Sequence, residues 1–494
     1  MHHAVFTSPD RRALALLTGA AIGALGALFG LLIVVAGPVM AFGALVGLAA
    51  GLYVLSSLHA ALYAMFAVIA LLPFANFPFS VGLTPTLLDG ALGAFLLVYA
   101  LQWMSGQRRL LRSTPLTPVV LAFVGIMLFA FLMGLRHAPL TARVLRNVLE
   151  MVLSLLLIPV LIDVMRDAGA LRRAVAVLIL LGGLAALVGI ALWLLPDLTA
   201  EAILNRLGRL GYPVGGVIRY RETSAELLNE RAIGTWVDPN AFGGFLVMIG
   251  ALAAPQVFAR RPVLDRRAAI ALLGIVGLAL FLTDSRGSVL ALGMAFVFIA
   301  ALRYRKLLAV MALAGVLMLF MPFTQRYVEK FEAGIRGEDV ETQMRFGEYQ
   351  DALNLIARYP LIGVGFSGTP QIDQYLGVAS TYLTIASSAG IAGLAGYLLV
   401  FASAFGYSAQ RYARIRAHPD LPDVWLGLAA ALVGVLAGGF FDHFYFKIDQ
   451  FHATMTAEWS ILGLMVAAAR LAAEPESYAG DEASPSGRGR RRAS

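Results

Sequence analysis

The residues best equipped for chemistry in this chain are arginines. Arg206, Arg209, Arg219, Arg221 and Arg231 lie in one polar stretch, and Arg326, Arg336, Arg345 and Arg358 in a second. Arg286 stands apart, in Thr283-Asp284-Ser285-Arg286-Gly287 between apolar runs. A guanidinium group stays charged and offers a planar fork that grips phosphate oxygens two at a time. Such clusters suit a multiply charged anion such as pyrophosphate. Salt bridges to Glu222, Glu226, Glu230, Glu332, Glu338 and Glu341 are the structural use open to the same residues. Arg286 is the sharper case, because an ionisable side chain inside an apolar run is a functional candidate by default. Asp284 is its structural partner by position.

Composition says what must hold these side chains. Hydrophobic residues make up 59% of the 494, charged residues only 14%, where soluble domains carry about a quarter. From Ala13 to Leu88 there is no Asp, Glu, Lys or Arg. As a helix that stretch would measure about 110 Å, against a hydrocarbon core of about 30 Å, so it must fold back at least twice. The apolar runs are long and do not alternate, which selects helices over barrel strands. The expected fold is an all-α polytopic membrane bundle of about twelve to fourteen transmembrane helices. Within it, 268–302 is too long for one span and short for two.

Charge sets the orientation. With the N-terminus inside, the basic connectors at Arg108–Arg112, Arg172–Arg173, Arg260–Arg267, Arg303–Lys306 and Arg411–Arg416 all fall in the cytoplasm, as does the C-terminal tail. Both termini are then cytoplasmic, in a bacterial cytoplasmic (inner) membrane. Two long connectors, 196–236 and 324–381, fall outside, and long loops are usually functional. Within 339–358, Tyr349, Ala352, Leu353 and Ile356 are spaced as the apolar face of an amphipathic helix, with Arg345 and Glu348 expected on another face. The chain divides into N-terminal helices (1–195), a core with both outer loops (196–404), C-terminal helices (405–470) and a basic, disordered tail (471–494) whose arginines suit anionic lipid better than nucleic acid.

Other chemistries are poorly supported. Cysteine is absent, which removes thiol catalysis, disulfides and iron–sulfur clusters. No Asp-x-Asp occurs, and the histidines lack metal-ligand spacing, so neither metal nor cofactor is expected. Gly363-x-Gly365-x-x-Gly368 spells a dinucleotide fingerprint but lacks its strand–helix context and reads as a turn. Asp89, near the start of a span, suits the helix dipole.

Several segments together resemble the bacterial O-antigen ligase and polymerase family. Gly234-Thr235-Trp236-Val237-Asp238-Pro239-Asn240 is similar to that family's Gly-x-aromatic-x-x-Pro-Asn segment, and Ser285-Arg286-Gly287 to its Ser-Arg-Gly segment. Pro360-Leu361-Ile362-Gly363-Val364-Gly365 resembles its outer-loop glycine block, and Ser380 with Gly390-Ile391-Ala392-Gly393 the pattern that follows. The matches are collinear across about 230–395; the earlier spans match only in being apolar.

The resemblance implies a metal-independent glycosyltransferase that moves a glycan from undecaprenyl pyrophosphate to a sugar hydroxyl on the outer face. The acceptor is another glycan or a lipid A–core, and a chain-length regulator is a partner of such enzymes. It carries the family's essential arginines onto Arg231 and Arg286. Arg345, Arg219, Arg221 and Asn240 are the candidate contacts to pyrophosphate and glycan. In one place the chain departs from the ligase pattern: the His preceding Asn/Ser is here Ala379. Asp442-His443 is the nearest replacement, although the aromatic run from Phe440 to Phe446 equally fits an interfacial belt. The departure favours polymerase over ligase. A flippase of lipid-linked glycan and an inactive scaffolding relative are the rival classes, the former weakened by the lack of an internal repeat.

The topology is directly testable, because the chain has no native cysteine. An impermeant maleimide added to spheroplasts should label Thr369→Cys and spare Ser113→Cys; the reverse pattern would overturn the orientation.

Overall fold

The computed structural model describes residues 37–77, 84–214, 220–224, 227–320, 340–368, 378–448 and 450–474, with scattered positions between 19 and 34 and at 82, 332, 336 and 337. Arg219, Arg326, Thr369 and the tail beyond 474 lie outside the described residues. Residues 1–61 and 62–494 form two compact units. The first holds helix α1 (Pro38–Ser56), opened by a proline whose missing N–H costs nothing at that position.

The larger unit is a helical membrane bundle. Helix α2 (Leu58–Leu71), whose first four residues belong to the smaller unit, is followed by α3 (Leu87–Met104), α4 (Leu116–Gly134), α5 (Ala142–Val164) and α6 (Ala168–Leu194). After α7 (Asp197–Arg206) come α8 (Pro239–Phe258), α9 (Arg266–Leu282), α10 (Arg286–Leu302) and α11 (Lys306–Phe320). The chain continues with α12 (Val340–Arg358), α13 (Thr381–Gln410), α14 (Tyr412–Ala417), α15 (Pro422–Gly438) and α16 (His452–Leu471). Among the described residues α3, α4, α5, α6, α8 and α13 are long and apolar enough to cross a membrane, while α2, α10 and α15 are shorter apolar helices. One expectation needs enlarging: the connector 196–236 carries, besides α7, an antiparallel hairpin of β1 (Tyr220–Ser224) and β2 (Leu227–Glu230).

The centre of the bundle is α8, buried along almost its whole length, with α15 and α16 beside it. Its entry is fixed by Trp236, whose ring stacks on Phe245 at 4.7 Å and whose Nε1 donates to Ala70 O at 3.2 Å. At the end that carries the short basic connectors, buried carboxylates fasten the chain. Asp163 takes Arg108 Nη1 and the N–H of Arg112, each at 2.9 Å, and Asp423 pairs with Arg303 at 3.2 Å.

The ambiguous run 268–302 is a helical hairpin. α9 and α10, 17 residues each, are separated by Thr283-Asp284-Ser285, where Asp284 adopts a left-handed φ of 53°. Each helix is about 25 Å long, just short of the hydrocarbon thickness. The turn sets Arg286 at the first position of α10.

The expected single span 382–404 is α13, broken inside at Gly390 (φ 69°, ψ −173°). The turn Pro360–Gly365 fits into that break. Ile391 N–H donates to Pro360 O at 2.8 Å, while Val364 and Gly365 N–H donate to Ser387 and Ser388 O at 2.9 and 2.8 Å. The peptide groups released by the kink are thus answered by protein. A Cβ on Gly390 would lie 2.2 Å from Leu361 C, and one on Gly365 would lie 2.3 Å from Gly134 Cα on α4. Only bare backbone allows these crossings.

Gly390→Val should therefore lower the melting temperature of the purified protein by many degrees or abolish folded yield. Gly274→Ala on α9, where nothing lies within 4 Å, should leave it unchanged. Equal melting temperatures for Gly390→Val and wild type would refute the docking of the turn.

Candidate functional site

Four segments that carry the motif residues meet at the end of the larger unit bearing the long connectors. The first is the entry to α8. Asp238 caps that helix, its Oδ1 accepting from the N–H of Asn240 and of Ala241, both at 2.8 Å. The preceding Val237 has a φ of 63°, strained for a β-branched residue. A left-handed residue thus stands immediately before Asp238, as Asp284 does before Ser285-Arg286.

Arg231 ties these two strained turns together. It is only 5% exposed; its Nε donates to Thr283 O at 2.8 Å and its Nη2 to Asn240 Oδ1 at 2.7 Å, while Ala232 N–H reaches Leu282 O at 2.8 Å. Arg231 and Asn240 are therefore bound to each other and to the turn that launches α10. Arg286 occupies the first position of α10 and is half-exposed. Next to it, Gly287 lets α10 come so close to Phe441 that a Cβ there would sit 2.7 Å from the Phe441 Cβ.

The third segment is the loop after α15. Phe444, Tyr445 and Phe446 turn back into the bundle and are buried; Tyr445 OH donates to Gly244 O on α8 at 3.2 Å. Part of the aromatic run is thus core instead of interfacial belt, and it holds Asp442 and His443 in place. Asp442 Oδ1 accepts from His443 N–H at 2.8 Å and lies 3.4 Å from His443 Nδ1. The loop's far end is fastened where His452, opening α16, contacts the Glu150 carboxylate of α5.

The fourth is α12, whose inward face differs from expectation. Ala352 and Leu355 are buried and Leu353 is 52% exposed. Arg345 and Glu348 share the inner stripe with Tyr349 and Ala352, four residues apart in each case. Arg345 donates from Nη1 to Phe441 O and lies 4.0 Å from Asp442 Oδ2. Glu348 Oε2 accepts from Ala379 N–H at 2.8 Å, and Tyr349 OH donates to Ala379 O at 3.0 Å. Ala379 is thus held from both sides and is 8% exposed. Thr381, opening α13, closes the ring by donating from its N–H to Gly439 O and Asp442 O at 2.8 and 2.9 Å.

Two carboxyls are held high by these surroundings. Burial, with Asp442 nearby, raises Asp238 above its ordinary 3.8, against the opposing pull of its capping N–H groups and Arg231. Burial also raises Glu348 above its ordinary 4.5, Asp442 adding to this and Ala379 N–H, Arg345 and Lys447 opposing. Asp238 and Glu348 were not among the candidates drawn from sequence. Each stands beside a motif residue, but only the fold sets both near Asp442. Arg221 pairs in register with Asn229 on the hairpin that leads into Arg231. Beside the Pro360–Gly365 turn lies an apolar cleft lined by Ala122, Gly125, Ile126, Phe129, Ile362, Ala389 and Ala392.

Residues 269–398 match the O-antigen ligase family model. That segment runs from α9 through the strained turn, α12 and the docked glycine turn to the middle of α13. No curated protein matches the chain.

The cap at Asp238 gives a testable sign. Asp238→Ala should cost about 1–2 kcal/mol of stability, whereas Asp238→Asn keeps the capping oxygen and should not. A raised folded-state pKa means that the stability this carboxyl contributes is complete below about 3.8 and is lost as pH rises through the higher folded value. The melting temperature of Asp238→Asn relative to wild type should therefore climb as pH rises from about 4. A flat difference would show that Asp238 ionises as freely in the fold as in the unfolded chain.

Proposed function

From the premise that residues 269–398 are an O-antigen ligase family domain, we propose that this chain transfers glycan from a polyprenyl pyrophosphate to a sugar hydroxyl at the long-connector end of its bundle. The observation that carries this reading is the joining of Arg286, Arg231, Arg345 and Asp442 by two strained turns and one loop. As the acceptor oxygen bonds to the anomeric carbon, the bond from that carbon to the pyrophosphate oxygen breaks and its electron pair leaves with the phosphate. Negative charge therefore develops beside the donor, where fixed positive groups lower the barrier most.

Arg286 takes this role at the first position of α10, the end of the helix dipole that favours an anion. Arg231 positions it through the carbonyl of Thr283. Arg345 and Asn240 border the pyrophosphate and glycan, and Asp442 with His443 borders the acceptor hydroxyl; Arg219 and Arg221 stay candidates on their sequence alone. No metal is required, because guanidinium groups supply the charge. The apolar cleft beside Ile362 and Ala389 suits an isoprenoid tail. The interrupted helix α13 does not favour a transporter, since its freed backbone groups bind the Pro360–Gly365 turn instead of lining a pathway.

The substrate is undecaprenyl-pyrophosphate-linked glycan, on the outer face of the cytoplasmic membrane with both termini inside. Polymerase is preferred to ligase because Ala379 offers no proton acceptor, its peptide group being held by Glu348 and Tyr349. Purified protein given only lipid-linked repeat units should build a ladder of longer glycans without moving glycan to lipid A–core. Arg286→Ala should slow the ladder over a hundredfold, about 3 kcal/mol, with Arg286→Lys a partial rescue. Transfer to lipid A–core with no ladder would restore the ligase reading, and full activity in Arg286→Ala would reduce Arg286 to a structural role.

A further inference from the structure

We infer that Glu348 is the general base of the transfer, its Oε1 taking the proton of the acceptor hydroxyl while its Oε2 is fixed by the N–H of Ala379. This rests on the glycan-transfer reading above and assigns the proton to Glu348 in place of the Asp442-His443 pair that the sequence offered. Arg286, Arg231 and Arg345 cannot accept a proton. Asp442 Oδ1 already accepts from His443 N–H at 2.8 Å, and its Oδ2 lies 4.0 Å from Arg345.

Glu348 differs in each respect. Among the described residues its carboxylate accepts one hydrogen bond, at Oε2 from Ala379 at 2.8 Å, so the carboxyl is oriented and Oε1 remains available. It is half-buried, in contact with the outside yet partly shielded from water. The groups that face it are Arg345 and Tyr349 on its own helix, and Asp442 and Lys447 from the loop after α15. Burial outweighs the two cations and raises its proton affinity, the direction a base needs to approach its working pH.

The step balances without another reactant. The acceptor O–H bond gives its proton to Oε1 and its electron pair to the anomeric carbon; the pyrophosphate leaves with the pair of the broken bond. Water then removes the proton from Glu348. Tyr349, bound to Ala379 O, and Arg345, bound to Phe441 O, keep α12 seated over the site during the reaction.

The test uses the full chain in detergent with undecaprenyl-pyrophosphate-linked glycan extracted from the host membranes. Glu348→Gln keeps an oxygen for Ala379 N–H and removes the base. Transfer should fall at least a hundredfold, the melting temperature at pH 7 should not drop, and the acidic limb of the pH–rate profile should vanish. Glu348→Asp, one methylene short, should lose ten- to a hundredfold and retain that limb. A Glu348→Gln variant within threefold of wild type would overturn the assignment of the base and leave the function standing. The same holds if its loss of rate leaves the pH profile unchanged, which would make Glu348 a positioning residue. A wild-type chain that moves no glycan at all overturns the underlying reading, and this inference with it.

Discussion

Inside hydrocarbon an unpaired peptide group costs several kcal/mol, because no water can take its hydrogen bond. Every irregular stretch described near the site obeys that constraint by binding other protein. The kink at Gly390 hands its N–H and C=O groups to the Pro360–Gly365 turn. The start of α13 binds the carbonyls of Gly439 and Asp442, and Arg231 uses its guanidinium to satisfy Thr283 O in the turn between α9 and α10. Each repair joins two segments that are distant in the chain. The connections that keep the backbone satisfied are the same ones that assemble the site.

This explains why strain collects where it does. Val237 and Asp284 hold left-handed conformations that cost about 1–3 kcal/mol each and persist only when their surroundings over-determine them. Trp236, stacked on Phe245 and bonded to Ala70, fixes one turn; the two hydrogen bonds of Arg231 fix the other to it. A small change in the packing of Trp236 would therefore reach Arg286 through Arg231 and Thr283. The chemistry assigned to Arg286 depends on this chain of contacts as much as on its charge.

The amphipathic helix α12 brings Arg345 and Glu348 onto one face of the candidate site. Its buried Ala352 and Leu355 seat it against the bundle, and its polar residues at 345, 348 and 349 face the same way. Charged side chains on an inward face are destabilising unless they find partners. Here the partners are the backbone of Ala379, Phe440 and Phe441 and the carboxylate of Asp442. A carboxyl that remains hard to ionise in such a setting is costly for folding and useful for proton transfer.

Sequence alone determined that the chain is a helical membrane protein with two long polar connectors, because span length and charge sparsity follow from the hydrocarbon thickness and need no tertiary contact. It also made Arg231, Arg286, Asp238-Pro239-Asn240 and the glycine turn recognisable as motifs, since their residue types and order survive without coordinates. Only the tertiary structure decided what those motifs do to one another. The break at Gly390 is invisible in an apolar run whose hydropathy continues through it, and the hairpin β1–β2 carries no alternation strong enough to announce it. The inward face of α12 was misjudged because apolar spacing marked the residues that pack, while Arg345 and Glu348 face inward to meet backbone groups whose positions the chain order does not reveal. Hydropathy measures transfer from water to hydrocarbon; it says nothing about which distant carbonyl or carboxylate will meet a side chain there.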